Sequence, residues 1–375
     1  MPPTRDIASV RWGDAPGRLD LLGGVADYGG ALVLETPTRA RTVVEVTPAA
    51  TLGVGDARYR PAELAVLATR PYPEIRAELA AHARWTHYSL GVVLVLVRHG
   101  VIDPPTGHVA VRSEVPIAVG VSSSAAIEVA TARAFGVSMP PLDVARWCQE
   151  AENEVVGAPC GIMDQVVVSL GRVGEVLPIR CRNVSVDPGI VVPPTHEVVG
   201  VPTGETHDVS GQPYRVARTA AHMGKVLVEA AAGRAFDWLV DLPEVLVAQL
   251  PEWLDGADFL DRWGGTADPL TAVDPHLTYP VRAAAGFAAA EHRRAERAVE
   301  HLGRAEMGEM GPLMAASHAG YDAMGLGHAA TDVAVEWCLE QEGVLGARSS
   351  GGGSGGTVVA LCRRGALDHV TGLVR

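Results

Sequence analysis

Residues 107–136 constrain the fold of this 375-residue chain more than any other stretch. GHVAVRSEVP alternates like a strand, VGVSSSAA is a glycine–serine loop, and AAIEVATARAFG continues as a helix. Glycine in such a loop permits close backbone approach. A helix that starts directly after it aims free N–H groups and the positive end of its dipole at one point. Ser122, Ser123 and Ser124 add hydroxyls at the helix start, a composition that suits a triphosphate, with one hydroxyl able to ligate magnesium. The same serines also fit an ordinary N-cap.

The segments on either side are mixed. ALVLETP and TVVEVTP read as strands between glycine and proline breaks, and Trp85–His99 has helical apolar spacing. A further helix spans Leu142–Val156, led by Pro140 and Pro141. The second half is alanine-rich and helical around RVARTAAHMGKVLVEAAAG, Ala283–Gly303 and Gly311–Ala323, and ends on the strand TVVALC. Strands and helices without a regular βαβ rhythm predict an α+β fold. The glycine run 351–356 lies directly before that last strand, which makes it a structural loop rather than a linker.

Charge excludes several classes. A net charge of −13 argues against a nucleic-acid or anionic-membrane surface. Of 31 basic residues the only lysine is Lys225, in HMGKVL, without the sequence context of a protein-kinase or P-loop lysine. Five cysteines with no C-x-x-C pair predict a reducing compartment, and the charged start MPPTRDIASVRW lacks the apolar stretch of a secretion signal. The expectation is a cytoplasmic protein, monomer or homodimer.

Four acidic or basic positions stand out in or near the glycine-bearing segments. Glu152 lies twelve residues ahead of Asp164, which sits in the apolar segment GAPCGIMDQ; a carboxylate there is either paired, functional or a helix cap. APGRLDLLGGVADYGG couples a proline–glycine turn to Arg18 and Asp27, and by itself also fits a strand–turn–strand with surface charges.

Together these segments resemble the GHMP kinase superfamily, and within it the sugar 1-kinases of the arabinokinase and galactokinase branch. APGRLDLLGGVADYGG, VPIAVGVSSSAAIEVAT, GAPCGIMDQ and GARSSGGGSGGTVVAL resemble its motifs in order, from about residue 10 to residue 362. The resemblance implies a two-domain α+β fold: an N-terminal ribosomal-protein-S5-domain-2-like domain over 1–190 and a ferredoxin-like domain over 191–375. It implies ATP and Mg2+, and transfer of the γ-phosphoryl group to the anomeric hydroxyl of a monosaccharide. Asp164 matches the general base and Arg18 the arginine that pairs with it and stabilises developing charge. Ser124 and Glu152 match the magnesium ligands. The nucleotide is expected over Gly120, Val121, Ser122, Ser123, Ser124 and Ala125, with Trp85 against adenine or, alternatively, in the core. Asp27, Tyr28, Gly161, Gly351, Gly352 and Gly353 are expected to face the sugar.

The departures bear on the substrate. Galactokinases of this family carry Glu-His-Thr where this chain has Gly24, Val25 and Ala26, which removes polar partners for a hexose hydroxymethyl and predicts an L-arabinose-like pentose. Restoring glutamate and histidine at 24 and 25 is expected to favour hexoses. Pro202-Thr203-Gly204 replaces the family's Asp-Ser-Gly, and His207 and Asp208 are candidates to contact an unusual sugar such as a heptose. Galactose, another small alcohol, or a non-catalytic sugar-sensing role are the alternatives.

Overall fold

The computed structural model describes residues 9–205 and 211–375; His207 and Asp208 lie outside the described residues. Strands β1 (Arg11–Leu22) and β2 (Leu32–Thr47) are long and antiparallel, and form the centre of an eight-stranded sheet. β3 (Leu52–Val54), β4 (Ala57–Tyr59), β5 (Gly107–Ser113), β6 (Glu175–Arg180), β7 (Ser185–Val186) and β8 (Ile190–Val191) complete it. The two apolar runs read as separate strands are one strand, β2, which continues through Pro37. The ladder explains why proline is tolerated there. β6 pairs with Leu32–Glu35 and β5 with Thr42–Thr47, and Pro37 falls in the interval between them, opposite a register shift in β1 at Pro16/Arg18. A residue without an N–H costs no ladder bond at that point.

Helices α1 (Pro61–Thr69), α2 (Tyr72–Leu79), α3 (Arg84–Arg98), α4 (Ser123–Ala134), α5 (Pro141–Glu150) and α6 (Met163–Leu170) accompany this sheet. Their apolar faces meet it in one core that includes Val44, Val46, Leu90, Val93, Val129 and Val166. β9 (His196–Pro202) then opens a second, three-stranded antiparallel sheet. The chain leaves it through α7 (Gln212–Ala232), α8 (Glu244–Val247), β10 (Leu254–Asp255), α9 (Gly256–Trp263), β11 (Thr278–Tyr279), α10 (Val281–Gly303), α11 (Met310–Ala323) and α12 (Ala329–Glu340). It returns with β12 (Val344–Ser349) and β13 (Thr357–Arg363), in the order β12-β13-β9. A bridge from Gly200 to Val374 adds the C-terminal segment to the β9 edge.

Another core joins the two halves. Leu19, Leu21, Leu22 and Leu34 of the central hairpin pack with Ala295 and Ala298 of α10, Met310, Leu313 and Met314 of α11, and Val359 and Leu361 of β13. Val25 and Ala26, in the 3-10 turn Gly24–Gly29 after β1, pack among the second-half helices rather than the first-half sheet. This turn and the glycine loop 351–356 are thereby brought together. No helix among the described residues is long and apolar enough to cross a membrane.

Candidate active site

An open cleft collects residues from each of the four motif segments. Arg18 comes from β1, Val25 and Asp27 from the following turn, and Gly120, Ser122, Ser123 and Ser124 from the start of α4. Glu152, Cys160, Gly161 and Asp164 enter from the α5–α6 region, and Gly351 and Gly352 from the last loop.

Arg18 organises this cleft. Its guanidinium donates to Asp164 Oδ1 through Nε at 2.8 Å, and Nη2 lies 2.8 Å from the same oxygen. Nη1 donates to the carbonyl of Gly120 at 2.7 Å. Both contacts on Asp164 fall on Oδ1, and Asp164 is among the residues that line the cleft. Glu35 stands behind Arg18 at 3.4 Å, fully buried. Burial opposes the Arg18 charge, but Asp164, Glu35 and Asp20 outweigh it and raise the guanidinium. Burial, then Asp20, pushes Glu35 well above the usual carboxylate range. Asp164 is not a cap: the N-cap of α6 is Ile162, and Asp164 lies in the first turn with its carboxylate on Arg18.

The serine loop also departs from an ordinary cap. Ser122 is the N-cap of α4 in a left-handed conformation, φ 58°, and makes no side-chain capping bond. Its Oγ is buried without a hydrogen-bond partner among the described residues. Ala118, in the same loop, also has φ 58°. Non-glycine residues held in this region carry backbone strain, which clusters at ligand sites.

Glu152 sits in a π-helical turn, Ala151–Val156, that continues α5 and closes on Gly157. Such turns are rare and frequent at functional sites. Burial, with the charge of Asp164 adding to it, pushes Glu152 up to about 7, against hydrogen bonds from Ser124, Cys160 and Gln165. The Gln165 amide donates to Glu152 at 2.6 Å and to Glu128 at 3.1 Å. A serine hydroxyl and a buried carboxylate are hard oxygen donors, and they fit a magnesium ion shared with a polyphosphate. A cation there would offset the burial that now disfavours the Glu152 charge.

Asp27 lines the same cleft as Asp164. Its carboxylate accepts from the Tyr28 N–H at 2.6 Å and the Met163 N–H at 3.3 Å, and burial together with Asp164 pushes it up to about 7. A Cβ at Gly161 would lie 1.8 Å from Asp27 Oδ2, so glycine at 161 is what admits that carboxylate.

Several sequence-predicted residues lie elsewhere. Val121 and Ala125 are core residues below the loop. Tyr28 does not line the cleft; its ring is edge-on to Tyr214 and beneath the Arg218 guanidinium at 4.9 Å. Gly353 packs on Tyr321 and Leu326. Trp85 is 39% exposed at the start of α3, against the β3–β4 turn at Gly55, and does not line this cleft. The glutamate swap at position 24 would require the Tyr321 side chain to shift, because a Cβ on Gly24 would lie 1.8 Å from its hydroxyl oxygen.

Other contributors escaped sequence reasoning. Tyr214 lines the cleft from α7. Arg218, one helical turn on, is held by Asp268 at 2.8 and 2.9 Å. Asp20 is fully buried and pairs with Arg348 at 2.9 Å. For Asp20 the available signal was its place among leucines in LDLL, since a charge there must find a partner.

Residues 87–172 match the GHMP kinases N terminal domain and residues 286–371 the GHMP kinases C terminal region. The L-arabinokinase of Arabidopsis thaliana is 30% identical over 93% of the chain, which spans 42% of that relative's length. The galactokinase of Chloroflexus aurantiacus is 30% identical over 100% of this chain and 87% of its own. The crystal structure of Lactococcus lactis galactokinase complexed with galactose superposes with a TM-score of 0.76 at 20% identity, covering 97% of this chain and 88% of that one. Methanococcus jannaschii mevalonate kinase superposes with a TM-score of 0.60 at 14% identity, covering 98% and 96%. These structural likenesses concern the fold.

Proposed function

Because the chain belongs to the GHMP kinase family, we propose that it transfers the γ-phosphoryl group of ATP to the anomeric hydroxyl of a monosaccharide, an L-arabinose-like pentose or a related unusual sugar. The observation that carries this reading is the Arg18 guanidinium, which touches both the Asp164 carboxylate and the Gly120 carbonyl of the serine loop. A base and a phosphate-binding loop tied to one cation are thereby held at hydrogen-bond range of a common guest.

The chemistry follows from these side chains. Oδ2 of Asp164 accepts the proton of the attacking hydroxyl as its oxygen bonds to phosphorus and the bond to the leaving diphosphate breaks. Arg18 keeps the base oriented and places positive charge beside the equatorial oxygens. N–H groups at the start of α4 and the unpartnered Ser122 hydroxyl face the phosphates. Ser124 and Glu152 would hold magnesium, which when bound neutralises phosphate charge. Asp27 accepts hydrogen bonds from sugar hydroxyls, and Val25 presents an apolar wall where a hexose arm would need a polar partner. Trp85 is proposed to pack near the adenine beyond the cleft. We place the domain boundary at 190/191, close to the gap between β8, the last strand of the large sheet, which runs to Val191, and β9, which opens the three-stranded sheet at His196.

The test is a coupled ATP-consumption assay across pentoses, hexoses, heptoses and deoxysugars, with the phosphate position read by phosphorus NMR. A sugar 1-phosphate from a pentose is expected. Sugar-dependent thermal stabilisation without turnover on any sugar would replace this reading with a sensor.

A further inference from the structure

Tyr321 crowds two glycines from different loops, and at Gly353 the Leu326 carbonyl, 2.7 Å from a Cβ there, crowds the position as well. A Cβ on Gly24 (φ +49°) would lie 1.8 Å from the Tyr321 hydroxyl oxygen, and a Cβ on Gly353 (φ +75°) 2.9 Å from its Cδ1. Tyr321, on α11, is fully buried. Its ring lies under the Arg348 guanidinium at 4.9 Å and edge-on to Phe287 at 5.6 Å. The hydroxyl accepts from the Val25 N–H at 3.1 Å and donates to the Gly351 carbonyl at 2.5 Å. Both partners line the cleft with Arg18 and Asp164, and Tyr321 does not. On the other side of the same junction, Asp20 accepts from the N–H groups of Gly24 and Gly351, each at 3.1 Å. The first-motif turn and the last glycine loop are therefore joined by two separate side chains, one supplying acceptors and the other both a donor and an acceptor.

We propose that Tyr321 is a positioning residue of the sugar pocket, occupying the space a side chain at position 24 would take and setting the separation of the Val25 and Gly351 backbones that face the substrate. The inference rests on the sugar-kinase reading and deepens it. Removing the hydroxyl leaves a buried N–H and a buried carbonyl unpaired while keeping the ring's packing, so the two loops lose their fixed spacing before the fold loses its core.

Tyr321→Phe is expected to raise the KM for the accepted sugar about tenfold, with kcat and the KM for ATP within twofold of the parent. A purely structural role would instead lower Tm with unchanged kinetics, or raise both KM values together; either result overturns the inference. A second measurement does not depend on turnover. Gly24→Ala is expected to lower Tm, and by less in the Tyr321→Phe background, because the nearest atom recedes from the hydroxyl at 1.8 Å to ring Cζ at 2.9 Å. Additive losses in the double variant overturn the proposed contact. If the parent protein phosphorylates no sugar while the Tm losses remain coupled, the junction stands and the kinase reading, with the pocket role built on it, falls.

Discussion

Arg18 Nε and Nη2 both meet Asp164 on the same oxygen, Oδ1, each at 2.8 Å, across 146 residues of sequence. This one-sided pairing keeps Arg18 off Oδ2, the proposed proton acceptor, while Nη1 remains on Gly120. Asp164→Asn is therefore expected to reduce kcat by about 10³-fold or more, with nucleotide affinity changed only a few-fold, as read by steady-state kinetics and nucleotide titration. Arg18→Lys is expected to lower kcat about 100-fold, because one ammonium cannot span both the carboxylate and the Gly120 carbonyl. Near-parental turnover in the Asp164→Asn variant would remove the base from the mechanism.

The orphaned hydroxyl of Ser122 makes a different kind of prediction. Ser122→Ala removes a buried group with no partner, so Tm of the ligand-free protein is expected to hold or rise slightly. The KM for ATP is expected to rise about 3- to 10-fold. An unchanged KM would show that this hydroxyl does not meet the phosphates.

Glu152 combines burial with a proposed cation. Glu152→Gln is expected to raise the magnesium concentration giving half-maximal activity about tenfold, measured at saturating ATP and sugar. The same change should stabilise the metal-free protein at pH 8, where burial penalises the native carboxylate. A magnesium curve identical to the parent's would exclude Glu152 as a ligand.

Asp27 supplies a pH dependence with a definite sign. Burial raises it from an ordinary 3.8 to about 7, so the folded chain keeps a proton there that the unfolded chain releases. This group's contribution to stability is thus fully present below about pH 4 and is lost as pH rises from about 4 to 7. Asp27→Asn is expected to flatten that part of a Tm-against-pH curve. In the parent, the sugar KM is expected to rise below about pH 7, as Asp27 loses acceptor capacity on protonation. Equal slopes in parent and variant would rule out Asp27 as the titrating group.

Much of this molecule was legible in one dimension because the governing interactions are local. The strand–loop–helix of 107–134 follows from alternation, glycine and alanine spacing, and the loop at 351–356 from its place before an apolar strand. Arg18 and Asp164 were nameable since each breaks an apolar or glycine-rich run, and Ser124 and Glu152 because they match positions of a family resemblance.

Tertiary structure alone decided how those segments meet. Nothing local in β2 shows that Pro37 lies in the interval between two neighbouring strands, which lets the strand run on through it. Nothing near Gly24 indicates that Tyr321 fills the space beside it, because that contact closes a loop of nearly 300 residues. Local propensity reads φ/ψ and burial period within a turn or two of chain. The identity of a neighbour across such a loop depends on packing volume and on which buried polar groups must find partners, and these are set only once the two halves dock.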